Sequence, residues 1–180
     1  MWQRNTEEER LLGVSLTGIM DNPLMTTANK GLEKTLETLR KLAVDTNTLW
    51  ANRLGISAST AITCVKPSGT VSQLVDSASG IHPRHSDYYI RTVRGDNKDP
   101  LTQFMKDQGV PSEPDVMKPD ATTVFSFPVQ SPTNAVVTAD LSAIEQLKTW
   151  LMYQRHWCEH KPSITVNVKK DEWFAVGAFV

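Results

Sequence analysis

The sequence predicts an α/β fold, and three observations carry that reading. Apolar residues recur at helical spacing across Lys30–Leu54, runs rich in β-branched and aromatic residues occur at 60–65, 88–93 and 122–127, and the two patterns alternate along the chain. A parallel sheet with crossover helices requires such alternation.

Residues 7–20 begin charged and continue apolar, which predicts a helix. In 30–54, Leu32, Leu36, Leu39, Ala43, Thr46 and Trp50 share one face, Glu33, Lys34, Glu37, Arg40 and Lys41 fill the rest, and Gly55 is placed as C-cap. The strand at 60–65 is followed by a loop and a short helix over 70–76, then by the strand at 88–93 and a turn at 95–99. A helix over 100–108 is signalled by Asp99 as N-cap, Pro100 at the first helical position and Gly109 as terminator. Residues 110–120 contain Pro111, Pro114 and Pro119 and read as a surface excursion without a domain boundary. The strand at 122–127 is closed by Pro128, and 130–134 is a loop. Asp140 or Ser142 caps a helix reaching Trp157, with Ile144, Leu147, Leu151 and Cys158 as its buried stripe. A strand at 164–168 and a final helix from 171 complete the pattern.

Composition limits the function classes. A chain of 180 residues, 39% hydrophobic and 22% charged, is long enough to bury a core. With 19 basic against 20 acidic residues it carries no footprint for a polyanion, so nucleic acid is an unexpected partner. The absence of a long apolar run or a signal-peptide pattern argues against a membrane and for a cytoplasmic protein. Cys64 and Cys158, far apart in sequence, suit a reducing compartment.

The segment with the most chemical content is the loop after the strand at 60–65: Lys66, Pro67, Ser68, Gly69, Thr70, Val71, Ser72, Gln73. Pro67 cannot extend a ladder, Gly69 permits close approach of the backbone to a ligand, and Ser68, Thr70 and Ser72 supply hydroxyl donors. This layout suits a phosphate. By spacing alone a hydroxyl-capped turn into a helix suits it better, and neither a Walker sequence nor a GxGxxG fingerprint is present.

The longer context resembles a known family. The stretch Ile81-His82-Pro83-Arg84, then Tyr88-Tyr89-Ile90-Arg91, after the Pro67-Ser68-Gly69-Thr70 loop, resembles the substrate-phosphate region of adenosylcobalamin-dependent (class II) ribonucleotide reductases. Trp157 to Val166 resembles a late barrel strand of the same family, and Gly13 to Gly18 its helix after the catalytic loop. The resemblance covers essentially the whole chain in order. It implies the later half of a ten-stranded α/β barrel of the ribonucleotide reductase type. It also implies conversion of ribonucleotides to deoxyribonucleotides by thiyl-radical chemistry initiated by adenosylcobalamin. Under it, Ser68, Gly69, Thr70, Val71 and Ser72 bind the phosphates of a ribonucleoside di- or triphosphate. The partners the resemblance implies are the remainder of the reductase chain and a dithiol reductant such as thioredoxin.

The family's Asn-x-Cys-x-Glu pattern does not occur in the sequence, so no catalytic residue is assigned within it. Cys64, in an apolar strand, and Cys158, after an aromatic helix, read as packed thiols. The radical cysteine is expected before Met1 and the re-reducing pair beyond Val180. Residues 1–180 thus read as a single partial domain, truncated at both ends, with adenosylcobalamin contacts unassigned. The alternative is a non-catalytic nucleotide-phosphate binding module or an inactive remnant. His82, His85, His156, Cys158 and His160 lack the paired spacing of a zinc site, so no metal is expected. Arg84, Arg91 and Arg94 suit either anion contacts or internal ion pairs.

Overall fold

A computed structural model describes residues 1–26 and 30–180. In chain order it contains α1 (Trp2–Glu9), β1 (Val14–Ser15), a 3-10 turn (Ile19–Asp21), α2 (Pro23–Thr26), α3 (Lys30–Leu54), β2 (Thr63–Cys64) and α4 (Val71–Leu74). These are followed by β3 (Tyr88–Asp96), α5 (Pro100–Asp107), β4 (Ser112–Pro114), β5 (Thr122–Gln130), a second 3-10 turn (Thr138–Asp140), α6 (Ala143–His156) and α7 (Trp173–Phe179). The residues group into two compact units, 1–85 with 133–180 and 86–132.

The first unit is built on α3. Leu32, Leu36 and Ala51 of that helix are buried, and Leu32 and Leu36 join Ile19, Val65, Ile81, Tyr153, Trp157 and Cys158 in the core. As expected, α3 stops at Gly55, whose φ of 67° is the left-handed conformation glycine adopts without penalty. Helix α6 is started by Ser142 rather than Asp140. The Ser142 hydroxyl accepts from the Glu145 amide at 3.2 Å, and the Glu145 carboxylate accepts from the Ser142 amide at 2.8 Å. Of the expected stripe only Cys158, just past the helix, is buried; Ile144, Leu147 and Leu151 are half-buried, and the buried face of α6 is Ala143, Gln146, Thr149 and Tyr153. Polar residues occupy it because each finds a partner: Gln146 accepts from the Asn167 amide at 3.2 Å, Thr149 donates to the Glu145 carbonyl at 3.0 Å, and the Tyr153 hydroxyl donates to the Met25 carbonyl at 2.9 Å.

Two expected elements take another form. The helix over 7–20, with the helical reading of Gly13 to Gly18, is replaced by α1, which ends at Arg10 (φ 43°), and by the extended strand β1. Leu12, Val14 and Leu16 alternate with Gly13 and Ser15, the period of two that a strand and not a helix satisfies, and the amides of Leu12, Val14 and Leu16 bond the carbonyls of Ala61, Ile62 and Cys64. The strand at 164–168 enters no ladder among the described residues; the amides of Thr165 and Asn167 instead bond the side chains of His82 and Gln146. Among the described residues parallel pairing joins β1 with β2, Val14 opposite Thr63 and Ser15 opposite Cys64, and recurs as a single bridge between Arg84 and Val137.

The second unit is an antiparallel sheet in the order β3-β5-β4, not the parallel arrangement expected for the strands at 88–93 and 122–127. Residues 110–120, expected as an excursion, contribute the strand β4. Pro128, expected to close β5, lies inside it opposite Ile90; β4 reaches only as far as Phe125, so the proline interrupts no ladder on that side. Helix α5 begins as its signals require, with the Asp99 carboxylate accepting from the Leu101 amide at 2.9 Å and Pro100 in the first turn. It packs against β3 at Gly95, where a Cβ would lie 2.4 Å from the Thr102 hydroxyl.

Candidate functional site

Strand β2 delivers the chain to the loop, and its outer edge is covered by a carboxylate. One Glu159 oxygen accepts from the amides of Ile62 and Thr63, both at 2.9 Å, and from the Thr63 hydroxyl at 3.2 Å. The Arg40 guanidinium stands 3.9 Å from the other oxygen. Burial by itself raises the Glu159 pKa; the amides of Thr63 and Ile62, the Thr63 hydroxyl and Arg40 outweigh it and hold the carboxyl below its ordinary value. A depressed carboxyl stabilises the fold above its unfolded-state pKa and loses that contribution as pH falls through the folded value. Glu159→Gln is therefore expected to cost about 1.5–3 kcal/mol at pH 7, the range for hydrogen bonds to a charged group. The gap to the unaltered protein should narrow below about pH 4, near the carboxyl's unfolded value. Urea midpoints at pH 7 and pH 3.5 check this; a gap equal at both would contradict it.

Beyond β2, the Lys66 amide bonds the Ser15 hydroxyl and the Ser68 amide bonds the Ser79 hydroxyl, both at 3.0 Å. The Ser72 hydroxyl is turned inward onto the Ser68 carbonyl. The helix expected over 70–76 is the single turn α4, in which Thr70 makes no side-chain cap bond. It closes with the Ser77 amide on the Ser72 carbonyl at 2.8 Å. Of the five residues assigned to phosphate, Gly69, Thr70 and Val71 are exposed, Ser68 is half-buried and Ser72 is fully buried. A Cβ built on Gly69 meets nothing within 4 Å among the described residues, so none of their side chains crowds that position.

The return segment, 76–84, is tied down by Arg84, which is 4% exposed. Its guanidinium bonds both Asp21 oxygens, at 3.0 and 2.9 Å, together with the Asp76 carboxylate at 3.0 Å and the Asp76 carbonyl at 2.7 Å. Asp21 also accepts from the Ala78 amide at 2.7 Å. Arg84 thus takes the internal ion-pair role. Gly80 (φ 56°) lies so close to the loop's entrance that a Cβ would sit 2.8 Å from the Lys66 carbonyl oxygen. His82 carries its proton on Nδ1, facing the Ser79 carbonyl at 3.0 Å, because Nε2 accepts from the Thr165 amide at 3.0 Å.

The remaining candidates lie elsewhere. Arg94 pairs with Asp115 at 2.7 Å, and Arg91 is half-buried; both belong to the second unit. His156 contacts Glu37 at 2.8 Å. Among the described residues no cluster of three or more His, Cys, Asp or Glu is arranged to hold a metal, and no helix is long and apolar enough to cross a membrane. Cys64 and Cys158 are free and buried. Burial, followed by the proximity of Cys64, pushes the Cys158 thiol up to about 11. Sequence reasoning passed over Thr17, Asp21, Ser79, Gly80 and Glu159. Thr17 and Glu159 lie in stretches that carry the family resemblance, but nothing local indicates their partners.

No family model matches the chain. It is 30% identical over 92% of its length to the adenosylcobalamin-dependent ribonucleoside-triphosphate reductase of Lactobacillus gasseri, and covers 26% of that protein. The enzyme of the same name from Euglena gracilis is 34% identical over 63% of the chain, which covers 16% of the relative. Among solved structures, a B12-dependent (class II) ribonucleotide reductase superposes with a TM-score of 0.83 at 25% identity, matching 98% of this chain and 28% of its own. The chain spans about a quarter of the length of the Lactobacillus gasseri relative and of the solved structure. Over almost all of its own length, this chain is accordingly a relative of one segment of the adenosylcobalamin-dependent, class II ribonucleotide reductases.

Proposed function

We propose that the chain is the substrate-phosphate segment of an adenosylcobalamin-dependent ribonucleotide reductase, in which the loop Ser68, Gly69, Thr70, Val71 and Ser72 grips the phosphates of a ribonucleotide. The names of the relatives favour a triphosphate. Gly69 carries the reading: no neighbouring atom crowds the space a side chain would fill, so a close approach from outside the chain is the reason for glycine. The loop positions and does not react. Fixing the phosphates fixes the ribose against a reactive group, which lowers the barrier by proximity.

Adenosylcobalamin supplies the radical that starts the reaction in such an enzyme. The thiols of this segment do not fit a role in carrying it, since Cys64 is 1% exposed and Cys158 4%. The radical and re-reducing cysteines are therefore placed in the remainder of the reductase, with a dithiol such as thioredoxin as final reductant. A cytoplasmic location and no dealings with nucleic acid belong to the same reading. The buried thiols also suit a binding module without turnover, and that alternative is separated by whether the remainder of a reductase restores activity to the chain.

Gly69→Val tests the loop. Nothing within 4 Å obstructs the new side chain, so the fold should persist. Affinity for a ribonucleoside triphosphate, measured by isothermal titration, should fall about tenfold or more, equivalent to about 1.4 kcal/mol. Unchanged affinity would count against the assignment.

A further inference from the structure

Two polypeptide segments cross at the loop, 66–72 going out and 77–82 coming back, and a single side chain from β1's continuation lies between them. Thr17 Oγ1 is 3.0 Å from Ser68 Oγ, 3.0 Å from the Ala78 carbonyl oxygen and 3.0 Å from the Gly80 amide nitrogen. A hydroxyl can donate one hydrogen bond and accept two, so these three contacts exhaust it. The roles are forced. A carbonyl only accepts, so the Thr17 proton goes to Ala78. An amide only donates, so Gly80 takes one lone pair. The remaining lone pair is filled by the Ser68 proton.

We propose that Thr17 is the positioning residue of the phosphate loop, locking Ser68 to the returning segment and consuming its proton. The proposal rests on the reading of the loop given above. It assigns the work of meeting a triphosphate unevenly. Ser68 has given its proton to Thr17 and Ser72 has given its own to the Ser68 carbonyl, so neither hydroxyl remains a donor to an anion. The Thr70 hydroxyl, on an exposed residue and accepting no cap bond from α4, is left for the ligand alongside main-chain N–H groups. Thr17 is itself exposed, and exposed hydrogen bonds add little to global stability. Its role is local geometry.

The test uses Thr17→Val, which keeps the shape and removes the hydroxyl, Thr17→Ser, which restores it, and Ser68→Ala. In the protein without ligand, Thr17→Val should speed hydrogen exchange at the Gly80 amide about tenfold, because local opening no longer breaks that bond. Thr17→Ser should return it to the original rate, and the melting temperature should move little in either. An unchanged Gly80 exchange rate would overturn the proposal. Titration with a ribonucleoside triphosphate should show Thr17→Val losing more affinity than Ser68→Ala, which deletes one of the three bonds, while Thr17→Ser recovers it. Equal affinity of Thr17→Val and the unaltered protein would overturn the positioning role and leave the loop reading standing. No binding by the unaltered protein would overturn the loop reading and the positioning role with it.

Discussion

Arg84→Ala is expected to lower the stability of the first unit by about 3–5 kcal/mol, the cost of breaking a buried ion pair from one side. The guanidinium is 3% exposed and Asp21 14%, so the substitution strands a carboxylate where water reaches it poorly. Asp76 is 73% exposed and will be rehydrated, so its share of the loss is small. Lysine should not rescue. Arg84 spans two Asp21 oxygens, the Asp76 carboxylate and the Asp76 carbonyl with one planar fork, which an ammonium cannot reproduce. The loss should be local as well as global, because Asp21 also holds the Ala78 amide and Ala78 adjoins the crossing beside the loop. Chemical denaturation followed by circular dichroism measures the first effect, and hydrogen exchange over 76–84 the second. A change below about 1 kcal/mol would place Arg84 among the surface pairs, whose contributions have that size.

Tyr153→Ala should be as damaging, about 3–5 kcal/mol, because a fully buried ring leaves a cavity that its neighbours fill only in part. Tyr153 sits in the core with Leu32, Leu36 and Trp157, and its hydroxyl reaches the Met25 carbonyl at 2.9 Å. Tyr153→Phe divides the effect. It keeps the ring and removes one part-buried hydrogen bond, so it should cost about 0.5–1.5 kcal/mol, the net value of such a bond. If alanine and phenylalanine proved equally destabilising, the hydroxyl and not the packing would be the source, and α6 would be held to α2 by one hydrogen bond. Denaturant midpoints for the two variants decide between these.

Much of the local architecture was legible in the residues. Asp99, Pro100 and Gly109 bound α5, Ser142 and Glu145 start α6, and Gly55 ends α3, because a capping bond or a left-handed turn involves residues only a few positions apart. The hydroxyl-rich loop after β2 was legible for the same reason, as were the two buried thiols. The α6 stripe was misassigned because periodicity ranks residues by hydrophobicity, whereas Gln146 and Tyr153 are buried by virtue of partners at Asn167 and Met25. Strand direction was misassigned because β3 and β5 carry the same alternation whichever way they pair.

What the sequence by itself determined, then, is a set of features whose hydrogen bonds close within a few residues: the ends of α3 and α5, the start of α6 and the composition of the hydroxyl-rich loop after β2. Only the tertiary structure decided that Arg84 serves Asp21 and not a ligand, that Glu159 caps the edge of β2, and that Thr17 spends the Ser68 proton. Each of these joins groups more than 50 positions apart. A hydroxyl or carboxylate that accepts from any amide within reach leaves no local mark of which amide the fold will bring to it.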